Sequence, residues 1–171
     1  MYSEVHASLG WCLAEASNGD TKLRKWIFLA ALLPDLDAIT WLFGEDIYFK
    51  YHHMLTHGML FSVILSSLAI YSCKEQSKWK VLLWTQLSFF SHYLGDYFFT
   101  RFPMYYFWPF SDATFISENA VPLWHPVNKV FQWVCVVALI GLAVKFKRTP
   151  IEVISVKWDQ KVISSFRALK H

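Results

Sequence analysis

Long apolar stretches are the feature of this sequence that most constrains its fold. Residues 54–72, 79–99 and 130–146 consist largely of apolar side chains, and each approaches the roughly 20 residues that a helix needs to cross a bilayer. A fourth stretch, residues 26–43, has a similar length but contains Pro34, which is expected to kink it. We expect an all-α, multi-pass integral membrane helical bundle of about four transmembrane helices. Residues 5–17 predict a short N-terminal helix.

Composition agrees with a membrane protein and excludes several other classes. Of 171 residues, 55% are hydrophobic and only 17% are charged, against about 25% charged in an average soluble domain. The net charge of +3 is spread over short clusters, so we expect membrane lipids as partners and no nucleic acid. The cysteines Cys12, Cys73 and Cys135 are too far apart to form a metal motif or a disulfide framework. The first ten residues lack the pattern of a secretory signal.

Basic residues predict the orientation in the membrane. They concentrate before residue 26, between residues 73 and 80, and after residue 144, whereas residues 44–51 and 100–128 hold one Lys or Arg each. By the positive-inside rule the three basic regions should be cytoplasmic. We therefore expect the C-terminus in the cytoplasm, with residues 148–171 forming a basic amphipathic tail after a membrane-embedded domain of residues 1–147.

Several ionisable side chains lie where the sequence predicts membrane depth. His92 and Asp96 are four residues apart and share one face of a predicted helix. His53 and His57 repeat this spacing, and Asp35 and Asp37 follow the expected kink. Because burying an ionisable group in a membrane is costly, such residues indicate a functional site.

Helix lengths place these groups at a similar depth. Asp35 lies ten residues after Lys25 and His92 lies twelve after Lys80, which correspond to about 15 and 18 Å along a helix. His53 and His57 begin their helix at its outer end, so the groups should converge in the outward half of the membrane. Imidazoles and carboxylates together indicate one or two divalent ions, with zinc most favoured and manganese or iron as alternatives. The candidate ligands are His6, Asp35, His52, His53, His57, His92 and Asp96.

A site of this composition is typical of hydrolytic chemistry. Metal ions acidify water and stabilise a phosphoryl transition state, while a nearby carboxylate accepts a proton. Asp37 and Asp35 are the candidate catalytic carboxylates, and Asp37 is alternatively an orienting or bridging group. The candidate substrate contacts in the outer loop are Arg101, Trp108 and His125. Other readings are a metal-binding transporter or sensor, and a non-catalytic membrane protein whose polar residues join helices by hydrogen bonds.

The order of these motifs resembles a bacterial family. An early His6 is followed by LPDLD at 33–37, HHMLTHG at 52–58, HYLGD at 92–96 and WPF at 108–110. This order resembles the LexA-regulated, YdjM-like inner-membrane metal-dependent hydrolases, and more distantly the zinc-dependent phospholipases C. In the resemblance His53 stands where the family often has Arg, which favours His52 as the ligand, whereas the helical spacing to His57 favours His53.

The resemblance implies a multi-pass helical protein of the bacterial inner membrane with divalent-metal-dependent hydrolase activity. Together with the outward position of the polar groups, it leads us to expect a periplasm-facing site that cleaves a phosphoester of a lipid or lipid-linked substrate. The oligomeric state stays open.

Overall fold

The computed structural model describes residues 1–168 of the chain. Over these residues the fold is all-helical, as the sequence predicts, with seven α-helices and no β-strand. The α-helices are α1 Ser3–Ala16, α2 Thr21–Leu32, α3 Glu45–Tyr51, α4 Met59–Ser72, α5 Lys78–Phe99, α6 Pro126–Phe146 and α7 Val156–Ala168. Two 3₁₀ segments, Leu33–Phe43 and Pro150–Val153, complete the order. Residues 169–171 of the predicted tail lie outside the described part.

The helix pair α1 and α2 forms the centre of the bundle. Asp20 caps α2 by accepting a hydrogen bond from the Leu23 backbone N–H at 2.8 Å, which satisfies one of the free donors at the helix start. Trp11 of α1 and Ile27 of α2 are buried in the main core cluster, which α4 and α5 complete. This packing brings the first turns of α1 beside the end of α2 that leads into the motif at 33–37.

A glycine allows the close approach of α1 to α2. An ideal Cβ on Gly10 would lie 2.5 Å from the Ala31 Cβ and 3.3 Å from the Phe28 carbonyl oxygen, neither of which is a flexible side-chain end. We expect Gly10→Ala to lower the free energy of unfolding by about 1–3 kcal/mol through overpacking. Thermal unfolding in detergent measures this. Gly141→Ala in α6 is the control, because no atom lies within 4 Å of its ideal Cβ; equal melting temperatures for the two variants contradict the prediction.

Two helical segments, not four, are long and apolar enough to span a membrane within the described residues: Thr21–Phe43 and Pro126–Phe146. The expected span at 54–72 is wrong because α4 begins only at Met59 and has 14 residues. The expected span at 79–99 matches α5, which has 22 residues, but polar side chains such as Gln86, His92 and Asp96 lower its hydropathy. The expected kink at Pro34 is a change of helix type, from α2 to the 3₁₀ segment Leu33–Phe43.

The chain after α6 returns to the bundle. Glu152 pairs with Arg24 of α2, and Arg148 Nε lies 3.3 Å from Glu15 Oε1 of α1. These four buried or half-buried residues, Glu15, Arg24, Arg148 and Glu152, form the ionic cluster. Burial raises the pKa of the Glu15 carboxyl, against the lowering effect of Arg148 and Arg24. The ionic cluster lies near the C-terminal end of α1 and ties the final segment to the bundle; the predicted division at residue 147 stays a prediction.

Candidate metal centre

Four side chains from three parts of the chain converge at the other end of the bundle. Asp35 comes from the 3₁₀ segment after α2, His57 from the turn before α4, and His92 and Asp96 from successive turns of α5. One ligand atom from each lies within 4.8 Å of all the others. We call Asp35, His57, His92 and Asp96 the four-ligand group. All belong to the ligand set that the sequence predicts.

The distances within the four-ligand group suit a small ion. His92 Nε2 lies 3.0 Å from Asp96 Oδ2 and 3.1 Å from His57 Nε2, and both imidazoles lie 3.6–3.8 Å from Asp35 Oδ1. Bonds of 2.0–2.1 Å around a tetrahedral zinc ion separate neighbouring ligand atoms by about 3.3 Å. The observed separations bracket this value.

Hydrogen bonds fix both histidine rings. His92 Nδ1 donates to the Ala31 carbonyl oxygen at 2.7 Å, and His57 Nδ1 lies 3.0 Å from Asp37 Oδ2. In each ring Nδ1 therefore contacts an acceptor and Nε2 points into the four-ligand group. Metal-binding histidines are commonly oriented in this way, by a carboxylate or a backbone carbonyl on the second nitrogen.

Asp96 supplies a second argument that the residues fit a cation. Its carboxylate is 2% exposed, and Oδ2 has no hydrogen-bond partner within the described structure. The Nε2 atoms of three histidines, His92, His57 and His53, lie 3.0–3.5 Å from this oxygen without making a well-aligned hydrogen bond to it. A shared divalent ion would satisfy such a cluster of inward-facing acceptors. The donor set of two imidazoles and two carboxylates fits zinc, manganese or iron.

His6 lies beside the four-ligand group on α1. Its ring stacks on His92 with centroids 3.7 Å apart, and its Nε2 lies 3.1 Å from Asp96 Oδ1. The amino group of Met1 also contacts Asp96. Burial lowers the pKa of His6 to about 4, so this imidazole is neutral at physiological pH. Gly95 leaves room for it, because an ideal Cβ there would lie 3.1 Å from His6 Cε1.

His52 and His53 occupy different positions. His53 Nε2 lies 3.5 Å from Asp96 Oδ2, whereas His52 Nδ1 lies 2.8 Å from Asp37 Oδ1. The prediction that His53 and His57 share a helix is wrong, because residues 52–58 form turns before α4 and His53 has the left-handed φ of 66°. His53 thus lies next to the four-ligand group, whereas His52 contacts Asp37 and is separated from the group by it.

Asp37 contacts two histidines, His52 through Oδ1 and His57 through Oδ2, and so can orient the His57 ring. Asp37→Asn is expected to weaken metal binding by about 10- to 100-fold, the usual cost of losing an orienting partner. Competition titration with a chromogenic chelator on purified protein measures this. The control is Asp46→Asn, an exposed carboxylate in α3; an unchanged affinity in Asp37→Asn would remove the orienting role.

The site opens at Asp35. Its side chain is 20% exposed, against 1–2% for the other three members of the four-ligand group, and Ser3 Oγ donates to its Oδ2 at 2.9 Å. Phe102 packs beside His53, with its ring centroid 5.7 Å from that of His53 and 5.8 Å from that of Phe49. Sequence reasoning missed Ser3 and the Ala31 carbonyl; a backbone acceptor leaves no signal in the sequence.

The three predicted substrate contacts are spread out. The Trp108 carbonyl oxygen would lie 2.8 Å from a Cβ on Gly58, next to His57. Arg101 Nε donates to the Ala120 carbonyl, and His125 caps α6. Within the described residues no hydrogen bond or ion pair joins Arg101 or His125 to the four-ligand group. Their contact with substrate stays a prediction.

Comparison with known proteins identifies the family. The model of the YdjM inner membrane protein family matches residues 1–158. Searches of curated proteins and of solved structures found no match, and the distant resemblance to zinc-dependent phospholipase C is not supported. The match covers every member of the four-ligand group, His6 and the motif at 108–110. The chain therefore belongs to the YdjM family of inner membrane proteins.

Proposed function

We propose that this protein is a membrane-embedded, divalent-metal-dependent hydrolase. The observation that carries the proposal is the four-ligand group. Its two histidines are held with Nε2 inward, and one of its carboxylates, Asp35, is partly exposed to the outside. A bound divalent ion supplies Lewis acidity, which polarises a phosphoryl oxygen and acidifies water. Zinc is the ion that the donor set favours most.

We assign separate roles to Asp35 and to the residues that contact the four-ligand group. Asp35 is the carboxylate nearest to an incoming substrate, because it is the exposed member, and we assign it the role of ligand and proton acceptor. Both oxygens of Asp37 are engaged by His52 and His57, so Asp37 is assigned the orienting role and not that of general base. His6 and His53 approach Asp96 from either side and are candidates for further ligands.

A phosphoester carried by a lipid is the proposed substrate. Apolar side chains of the 3₁₀ segment that carries Asp35, and of the following α3, stay exposed, among them Leu36 at 52%, Ile39 at 57% and Phe49 at 57%. A large exposed apolar surface beside a polar opening is typical of a site that receives a membrane-bound ligand. Such a surface offers little to a small, fully hydrated substrate.

Charge distribution supports an outward-facing site. The Arg24–Glu152 and Arg148–Glu15 pairs place the basic ends of both candidate spans at one end of the bundle, and the four-ligand group lies toward the other. If that basic end is cytoplasmic, the C-terminus is cytoplasmic and the site faces the periplasm. We expect a C-terminal green fluorescent protein fusion to be bright and a C-terminal alkaline phosphatase fusion to be inactive. The opposite pair of results overturns this orientation.

The activity test uses the purified full chain in detergent micelles. Phosphatidic acid and phosphatidylglycerol in mixed micelles, with p-nitrophenyl phosphate as a soluble phosphoester, are incubated with added Zn²⁺, Mn²⁺ or Fe²⁺. The expected result is product from a lipid phosphoester that depends on the ion and is lost in His57→Ala. Lys129→Ala, at an exposed position in α6, is the control and should retain turnover.

Two results would overturn the proposal. Stoichiometric metal without cleavage of any of the three phosphoesters would reject the hydrolase and favour a metal-binding transporter or sensor. Cleavage that persists after chelation, or in metal-free His57→Ala, would remove the four-ligand group from the chemistry.

A further inference from the structure

An apolar cavity lies far from the metal centre, between α6 and the final helix. Its volume is about 500 Å³, within the range of roughly 300–1,000 Å³ that small-molecule sites occupy. One wall is the last turns of α6, and the other comes from Thr149, Pro150 and α7. The lining side chains are Leu139, Ile140, Ala143, Val144, Lys147, Thr149, Pro150, Ile163 and Phe166.

The far wall of the cavity is anchored. Asp159 of α7 accepts hydrogen bonds from the backbone N–H and the hydroxyl of Thr149, both at 2.7 Å. The neighbouring Arg148 and Glu152 belong to the ionic cluster, which ties this segment to α1 and α2. These contacts fix the position of the segment after α6, so that a gap remains between α7 and α6.

We propose that this cavity holds one acyl chain of an anionic phospholipid, with its headgroup at Lys147. The apolar wall belongs to Pro126–Phe146, one of the two candidate membrane spans, so in the bilayer lipid chains are the apolar groups next to the opening. An apolar gap of this size beside lipid fills with hydrocarbon because water would gain few hydrogen-bond partners along its apolar wall.

Lys147 provides the preference for an anionic headgroup. It is exposed at the cavity rim, directly after α6, and among the described residues no carboxylate pairs with it. The adjacent cations are otherwise engaged, since Arg148 pairs with Glu15 and the Lys145 ammonium lies over the Phe146 ring. A basic residue at the membrane surface attracts an anionic lipid.

Native mass spectrometry of the full chain, released from micelles with equal phosphatidylglycerol and phosphatidylcholine, tests the proposal. Wild type should retain one lipid with a preference of about fivefold for phosphatidylglycerol, the effect expected of one lysine. Lys147→Asn should abolish the preference, because it removes the positive charge at the cavity rim. Asn is chosen because it tolerates the left-handed backbone at this position (φ 56°). Lys145→Gln is the charge control and should keep the preference.

Filling the cavity tests the acyl chain separately. Ala143→Trp, and independently Val144→Trp from a more exposed position, should each lose the retained lipid whatever its headgroup. Val137→Trp is the size control, on an α6 surface that is 67% exposed and outside the cavity. Lipid retention by both cavity variants at the wild-type level, no headgroup preference in wild type, or a change of oligomeric mass in place of lipid loss would each overturn the proposal.

Discussion

Replacing Asp96 by Asn is expected to abolish the proposed metal binding while leaving the helical bundle folded. Asp96 lies within 3.5 Å of both histidines of the four-ligand group and also of His6 and His53. Asn keeps the shape but removes the negative charge, so metal affinity should fall by more than about 100-fold, beyond the loss caused by an orienting residue alone. Elemental analysis of detergent-purified protein measures the metal per chain.

The folded state should tolerate this change. Asn preserves the shape of the side chain, and Asp96 Oδ2 makes no well-aligned hydrogen bond in the described structure. The substitution does remove the charge that pairs with the Met1 amino group at Oδ1. Chelated Asp96→Asn should therefore keep the helical circular dichroism of chelated wild type, at a lower melting temperature because the Met1 amino group loses its partner. Asp112→Asn, in the exposed loop, should match wild type in metal content. A full metal complement in Asp96→Asn contradicts the assignment of the four-ligand group.

Replacing Arg24 by Met should produce the largest loss of stability. Arg24 is 7% exposed and Glu152 is 4% exposed, and the arginine also donates to the Gly19 carbonyl. Removing one partner of a buried ion pair leaves the other charge uncompensated and costs about 3–5 kcal/mol. At roughly 2–4 °C per kcal/mol for a chain of this size, the melting temperature should fall by about 6–20 °C.

A second substitution separates the ion pair from general packing. Arg24→Met combined with Glu152→Leu removes both charges, and replacement of a buried pair by apolar residues is often nearly neutral. The double variant should therefore recover most of the lost stability. Lys22→Met, at an exposed position of the same helix, controls for the loss of a cation. Equal melting temperatures for the single and double variants would show that the pair contributes no coupling.

The sequence predicted which side chains converge better than it predicted the backbone geometry that brings them together. Spacing by four was sufficient for His92 and Asp96, because α5 is a regular helix over both. The same rule failed for His53 and His57, because α4 begins after them at Met59. Periodicity cannot detect a turn that follows a run of helix-compatible residues, and here the left-handed His53 breaks the helix.

The number of membrane spans was overestimated for a related reason. Apolar content predicted 54–72 as one helix, yet 14 residues of α4 extend only about 21 Å. His92 and Asp96 made residues 79–99 a candidate site, and the same two polar side chains reduce the apolar character of this stretch. The ionic cluster was not predicted, because its members lie as far apart in sequence as Arg24 and Glu152.

The two histidines of the four-ligand group differ in how easily mutation can disturb them. His57 depends for its orientation on the side chain of Asp37, so a single codon change removes that support. His92 donates to the backbone carbonyl of Ala31, which every amino acid at position 31 would supply. A lineage in which this group of residues changes should therefore change first around His57, while the orientation of the His92 ring is retained.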